Sequence, residues 1–113
     1  MYRLGPINRF TFDVEPNTVQ IIRNHFHNGD DIYANVRSRG DTKILWASDW
    51  DIERTEVPAA CELSFGEQDY TVREGRQNIV IINQSDKTQH VLIELGAYEY
   101  IPRYWSVTAT TGF

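Results

Sequence analysis

Polar and apolar positions alternate with a period of two along most of the chain, and no stretch sustains the three-to-four spacing of an amphipathic helix. In residues 9–14, Phe10, Phe12 and Val14 fall on one face, the pattern of a half-buried strand. Glu15-Pro16-Asn17 interrupts it, and residues 18–23 resume with Val19 and Ile21 on the inward side. Two such runs joined by a short Pro-Asn link predict a hairpin. Asn28-Gly29 marks the next turn, since both residues accept positive φ. Residues 31–37 then place Ile32, Ala34 and Val36 on one face. A turn over 38–41 leads into a strand over 42–47, with Ile44 and Trp46 opposite Lys43, Leu45 and Ala47. Residues 48–58 are irregular and acidic. Ser48 fits the cap of a short helical turn, while the alternation of Trp50 and Ile52 fits a strand, and the pattern leaves both readings open. Runs over 61–65 and 69–73 bracket Gly66-Glu67, with Tyr70 and Val72 on one side of the second.

The strongest β signal lies between Gly75 and Glu94. Ile79, Val80, Ile81 and Ile82 are consecutive β-branched residues, which favour a buried pleated surface over a helix. Asn83, Ser85 and Asp86 supply turn chemistry, and Val91, Leu92 and Ile93 resume the strand. This reads as a central hairpin. Beyond it, Tyr98, Tyr100, Tyr104 and Trp105 form an aromatic run. Pro102 cannot donate to a ladder, so the run is expected to be a loop or an edge segment. Residues 106–111 are a last β-prone piece. About eight or nine short strands, spaced roughly ten residues apart, predict an all-β fold. The expected architecture is one antiparallel β-sandwich domain over residues 1–113, Ig-like or cupredoxin-like in topology, with a small barrel as the alternative.

Composition narrows the function classes. A chain of 113 residues with 41% hydrophobic and 24% charged residues is an ordinary globular domain with a sizeable core. The net charge of −5 argues against nucleic acid as a partner, because phosphates demand a basic footprint. Arg37, Arg39 and Lys43 do cluster in sequence, but around a Gly-Asp turn, as solvated loop charges do. No apolar run approaches the roughly 20 residues of a membrane helix. The sequence opens without a charged-then-apolar leader, and a single cysteine, Cys61, cannot close an internal disulfide. A cytoplasmic setting without membrane contact is the expectation.

Candidate chemistry is sparse. His25 and His27 share one side of an extended segment, and Asp30 or Asp31 follows. With Gly66 and Gly75 further on, this resembles the two metal motifs of cupins. It departs from them at Asn78, where that comparison asks for a histidine. Two or three ligands on a Gly turn are too few to assign a metal, and exposed turn histidines are the plainer reading. His90 after a β-branched strand and Asn83 resembles the start of a cupredoxin copper site. A copper site also needs a thiolate and a second histidine downstream, and neither follows. Cys61, preceded by Ala59-Ala60, reads as a buried structural thiol. Asp49, Asp51, Glu53 and Glu56 lack the spacing of a calcium loop. With no nucleophile–base–orienter set, the chain is expected to be non-catalytic and to carry no cofactor. Tyr98, Tyr100, Tyr104 and Trp105 flank Arg103, and Tyr, Trp and Arg are the side chains that dominate interface energetics.

From Tyr70 through Gly75, into Ile79-x-Ile81-x-Asn83-x-x-Asp86 and then Val91-x-Ile93-Glu94, the chain resembles a family of β-rich domains of unknown function. These lie immediately upstream of class III adenylate/guanylate cyclase catalytic domains in bacterial multidomain proteins. The likeness continues in Tyr98, where the family favours Trp, in Val107-Thr108 and in Phe113, and covers residues 66–113. It departs in the Glu94-to-Val107 spacing, about one residue short, and the family runs on past the Phe113 position towards the cyclase. The resemblance implies a non-catalytic accessory module that packs against, or relays a signal to, an adjoining cyclase domain. Glu94, Tyr98, Tyr100, Tyr104 and Trp105 are its candidate interaction residues. Two other readings stand beside it. One is a small cupin-like metal- or ligand-binding barrel using the His25/His27 loop. The other is a self-associating structural sandwich, a homo-oligomer.

Overall fold

The structure, a computed structural model, describes residues 2–38, 41–54 and 62–100. Cys61, Tyr104, Trp105 and the β-prone piece over 106–111 lie outside the described residues. The elements are β1 (Tyr2–Leu4), β2 (Asn8–Val14), β3 (Val19–Ile22), β4 (Asp31–Ser38), β5 (Thr42–Ala47), α1 (Asp49–Glu53), β6 (Gly66–Thr71), β7 (Asn78–Asn83) and β8 (Gln89–Tyr100). All pairings between them are antiparallel. One sheet holds β8 at its centre, flanked by β4 and then β6 on one side and by β2 and β1 along the other. The second sheet has the order β3-β7-β5, and Glu62 adds a single bridge to Leu45 outside β5. The expected all-β sandwich is what the chain forms.

From β2 onward, successive strands alternate between the two sheets. Each connection is therefore an arch over the core, and none among the described residues closes a hairpin. An order of β2-β8-β4-β6 over β3-β7-β5 is the connectivity of a jelly roll, which refines the expected sandwich away from the hairpin-rich immunoglobulin wiring. Two sequence expectations are corrected here. β2 pairs with β8 and β3 with β7, so residues 9–23 are not a hairpin. Likewise β7 and β8 lie in opposite sheets, so the strongest β signal is an arch.

The physical reason is visible in what the strands bury. Residues in register across an antiparallel pair point to the same side. The inward face of the larger sheet carries Val91, Ile93 and Leu95 of β8 with Ile32, Ala34 and Val36 of β4. The inward face of the smaller sheet carries Ile22, Ile79, Ile81, Ile44 and Trp46. Stacked as a sandwich, these sets bury each other; zipped as one hairpin, they would share one face and leave it uncovered. Trp46 of the small sheet lies parallel to Tyr70 of the large one, with ring centroids 4.5 Å apart. Phe10 and Phe12 pack half-buried on the edge of this core, with Val14 fully inside.

Two further expectations change at β3 and β8. Val19 and Ile21 face outward, 55% and 36% exposed, while Gln20 and Ile22 point in. Ile22 takes the inward place because it stands in register with Ile79, itself paired with Trp46. Tyr98 and Tyr100 belong to β8 and pair with Leu4 and Tyr2 of β1 alone among the described residues, so the loop alternative falls and the edge segment stands. Pro102 lies outside the described residues. The predicted strand over 61–65 reduces to the Glu62 bridge among the described residues. Arg37 and Lys43 sit in different sheets, and Arg39 lies outside the described residues.

Ser48 settles the ambiguity over 48–53. Its Oγ accepts from the Asp51 N–H at 3.1 Å, and Asp51 Oδ2 accepts from the Ser48 N–H at 3.2 Å. This reciprocal capping box starts α1. Asp49 then accepts from the buried Asn78 Nδ2 at 2.7 Å, which anchors α1 to the smaller sheet. No helix among the described residues is long and apolar enough to cross a membrane.

Gly75 occupies the left-handed region at φ +71, and its N–H donates to Asn28 Oδ1 at 2.6 Å, tying two loops together. An added Cβ would make only ordinary contacts there, at 3.7 Å or more. The cost of Gly75→Ala is therefore conformational, expected to be about 1 kcal/mol. A urea titration checks this as a lower midpoint with an unchanged slope.

Candidate functional site

The outer face of the larger sheet collects the polar half of each alternating strand. β8 contributes His90, Leu92, Glu94, Gly96, Tyr98 and Tyr100, and β4 contributes Tyr33, Asn35 and Arg37. β6 adds Glu67, Asp69 and Thr71; β2 and β1 add Arg9, Thr11, Asp13, Tyr2 and Leu4. Three of the five interaction residues expected from the sequence, Glu94, Tyr98 and Tyr100, thus share one face through their even spacing on a single strand. Tyr104 and Trp105 lie outside the described residues.

Glu94 sits mid-face between two neighbours in register. Arg9 Nη2 donates to its Oε2 at 3.2 Å, and Asn35 Nδ2 donates to its Oε1 at 3.0 Å. The Arg9 bond, followed by the Asn35 bond, holds the Glu94 carboxyl below its ordinary value of 4.5. The folded chain therefore favours the ionised form. The resulting stabilisation is fully present above the ordinary value and is lost as pH falls through the lowered one. Arg9→Gln is expected to shift the Glu94 titration midpoint upward towards 4.5, as read by carboxyl NMR. An unmoved midpoint would contradict the assignment of Arg9 as the main cause.

The end of the face beside β6 has a different chemistry. Tyr33 OH donates to Glu67 Oε1 at 2.9 Å, Tyr98 OH donates to Asp69 Oδ1 at 2.7 Å, and Thr71 Oγ1 donates to Asp31 Oδ1 at 2.7 Å. Each tyrosine is held above the usual phenol value of 10.0, chiefly because its proton is hydrogen-bonded to a carboxylate. Tyr33 stands in register with Gly96, the one glycine of β8, and Leu4 Cδ1 and Ile7 Cγ1 cover the place a Cβ would take there, at 3.0 and 3.3 Å. On the other side, Tyr2 meets Tyr100 edge-on with centroids 5.3 Å apart. Both rings are well exposed, at 68% and 60%. Tyr2, Tyr98, Asp31, Asp69, Tyr70 and Thr71 together line an open cleft of about 330 Å³.

Sequence reasoning missed Tyr2, Tyr33, Glu67 and Asp69, and named Asp31 only as a companion of the His25/His27 loop. Their alternation with inward residues was present in the sequence, but the pairing of β4 with both β6 and β8, and for Tyr2 the pairing of β1 with β8, brings them to the face of Tyr98.

The other candidates are placed apart from this face. His25 and His27 lie exposed in the link between β3 and β4. The His27 N–H donates to Asp30 Oδ2 at 2.9 Å, and His27 Nδ1 is 3.8 Å from the same oxygen. Among the described residues, no group of three His, Cys, Asp or Glu side chains is placed to hold a metal ion. Asn78, which stands where a cupin histidine would, is fully buried and bonds Asp49 and the Asn24 N–H. His90 pairs with Asp13 across strands at the far end of the outer face, on exposed side chains. No protein-family model, curated protein or solved structure matches the chain.

Proposed function

We propose that this chain is a non-catalytic accessory domain that docks a protein partner through the outer face of its larger sheet. The adjoining catalytic domain of a nucleotide cyclase is the partner implied by the sequence resemblance, and a cytoplasmic location goes with that reading. The observation that supports docking is the convergence of Tyr2, Tyr33, Tyr98 and Tyr100 on one face with Glu94. Tyrosine presents a large, stiff contact area with a polar tip, at low entropic cost on binding. A strand-borne row of such rings needs little rearrangement to form an interface.

Reading the coding region beyond Phe113 tests the partner first. The reading expects a cyclase catalytic domain in the same polypeptide or encoded beside it, and a stop codon with no cyclase nearby would contradict that identity. Where the cyclase is present, Tyr98→Ala/Tyr100→Ala in the longer polypeptide is expected to change cyclase turnover roughly fivefold or more, the scale of a typical coupling energy. Val19→Ser/Ile21→Ser on the opposite sheet is expected to leave it unchanged. Equal effects from both pairs would point to general destabilisation and contradict docking through this face.

A further inference from the structure

We infer that the cleft between Tyr2, Tyr98, Asp31 and Asp69 receives a cationic side chain, the guanidinium or ammonium group of an Arg- or Lys-bearing segment of the partner. The inference rests on the docking reading and names the partner's chemistry. Charge complementarity carries it. The outer face is divided electrically along β8. Around Glu94 the carboxylate is neutralised, with Arg9 bonded to it and Arg37 adding to its field. At the β6 end, Asp31, Glu67 and Asp69 take their hydrogen bonds from the hydroxyls of Thr71, Tyr33 and Tyr98, which carry no compensating charge. None of the three makes an ion pair among the described residues.

The hydroxyl bonds also position these carboxylates, so a cation meets a fixed array and does not have to order it. The walls suit the same guest. Tyr2 and Tyr98 border the cleft, and an aromatic face attracts a cation through its quadrupole. A volume of about 330 Å³ accommodates the end of a long side chain and is too open to enclose a whole ligand. A neutral sugar would also find aromatic walls, but it would leave the carboxylate charge uncompensated, and this favours the cation.

The test is calorimetric titration of the chain at low ionic strength with a Gly-Arg-Gly-Arg-Gly peptide, its citrulline counterpart and cellotetraose. Two charge-matched double variants accompany it. Asp31→Asn/Asp69→Asn keeps the acceptors for Thr71 and Tyr98 while removing both charges, and Glu53→Gln/Asp86→Asn removes two charges elsewhere. The arginine peptide is expected to bind and the citrulline peptide not to. The cleft variant is expected to weaken binding roughly tenfold and the remote variant less than twofold. Amide NMR on the unaltered chain gives an independent reading, with Tyr2, Thr71 and Tyr98 expected to shift on adding the peptide. Equal weakening in both variants would reduce the effect to overall net charge and overturn the inference. So would shifts confined to other residues, or binding of cellotetraose alone. If the peptide fails while the tyrosines are protected in the longer polypeptide, only the cationic chemistry falls. If the tyrosines also stay unprotected, the docking reading falls with it.

Discussion

Asn83→Ala is expected to destabilise the chain by about 4 kcal/mol, a large part of what a domain of this size possesses. Asn83 is 1% exposed, and its amide joins two arches. Nδ2 donates to Val14 O at 3.0 Å, Glu15 O at 3.2 Å and Lys87 O at 2.8 Å. Oδ1 accepts from the Ser85 N–H at 3.0 Å and from Ser85 Oγ at 2.7 Å. The backbone closes the same junction, with the Asn83 N–H donating to Thr18 O and the Asn17 N–H to Ser85 O. Truncation removes the donor shared by three carbonyls and leaves a cavity between the link from β2 to β3 and the link from β7 to β8. Asn83→Asp replaces that donor with a third set of acceptors and is expected to be worse. Had β7 and β8 formed a surface hairpin, a turn asparagine there would be worth only about 1 kcal/mol. Chemical unfolding therefore separates the two topologies. A loss below that figure would contradict the arch.

Trp46→Ala is the second large effect, expected at about 4 kcal/mol from lost burial and the cavity left behind. Trp46 is 1% exposed and spans the sandwich to stack on Tyr70. Its Nε1–H has no hydrogen-bond partner among the described residues. Trp46→Phe should therefore sacrifice area without orphaning an acceptor, and cost only about 1–2 kcal/mol. Urea unfolding of both variants, with near-ultraviolet dichroism of the stacked pair, measures the difference. Comparable losses in the two would mean that the indole N–H carries an interaction which the structure does not show.

Faces were legible in the sequence and partners were not. Strict alternation identified Ile32, Ala34 and Val36 as inward, because the side-chain period of a strand is independent of what it pairs with. It failed at Val19-Gln20-Ile21-Ile22, where apolar residues occupy both phases and the register with Ile79 decides. Asn83, Ser85 and Asp86 have the same local turn chemistry in a hairpin and in an arch, so the strongest β signal could not reveal its own wiring. The candidate face shows the same limit. Tyr98 and Tyr100 were visible as neighbours in an aromatic run and Glu94 through the resemblance, and a single strand carries all three. Tyr2 reaches them across the sheet from the other end of the chain, and Asp69 from a strand that β4 separates from β8.

The central claim, that the outer face of the larger sheet is where this domain meets its partner, is tested most directly by hydroxyl-radical footprinting. Where the coding region supplies the cyclase domain of the proposed function, the isolated chain is compared with the polypeptide that contains both. Tyr2, Tyr98 and Tyr100 are expected to become strongly protected in the longer chain. Trp50 and Phe65, 58% and 52% exposed elsewhere on the surface, are expected to oxidise at the same rate in both. Unchanged oxidation of the three tyrosines, or protection of Trp50 and Phe65 in their place, would contradict it.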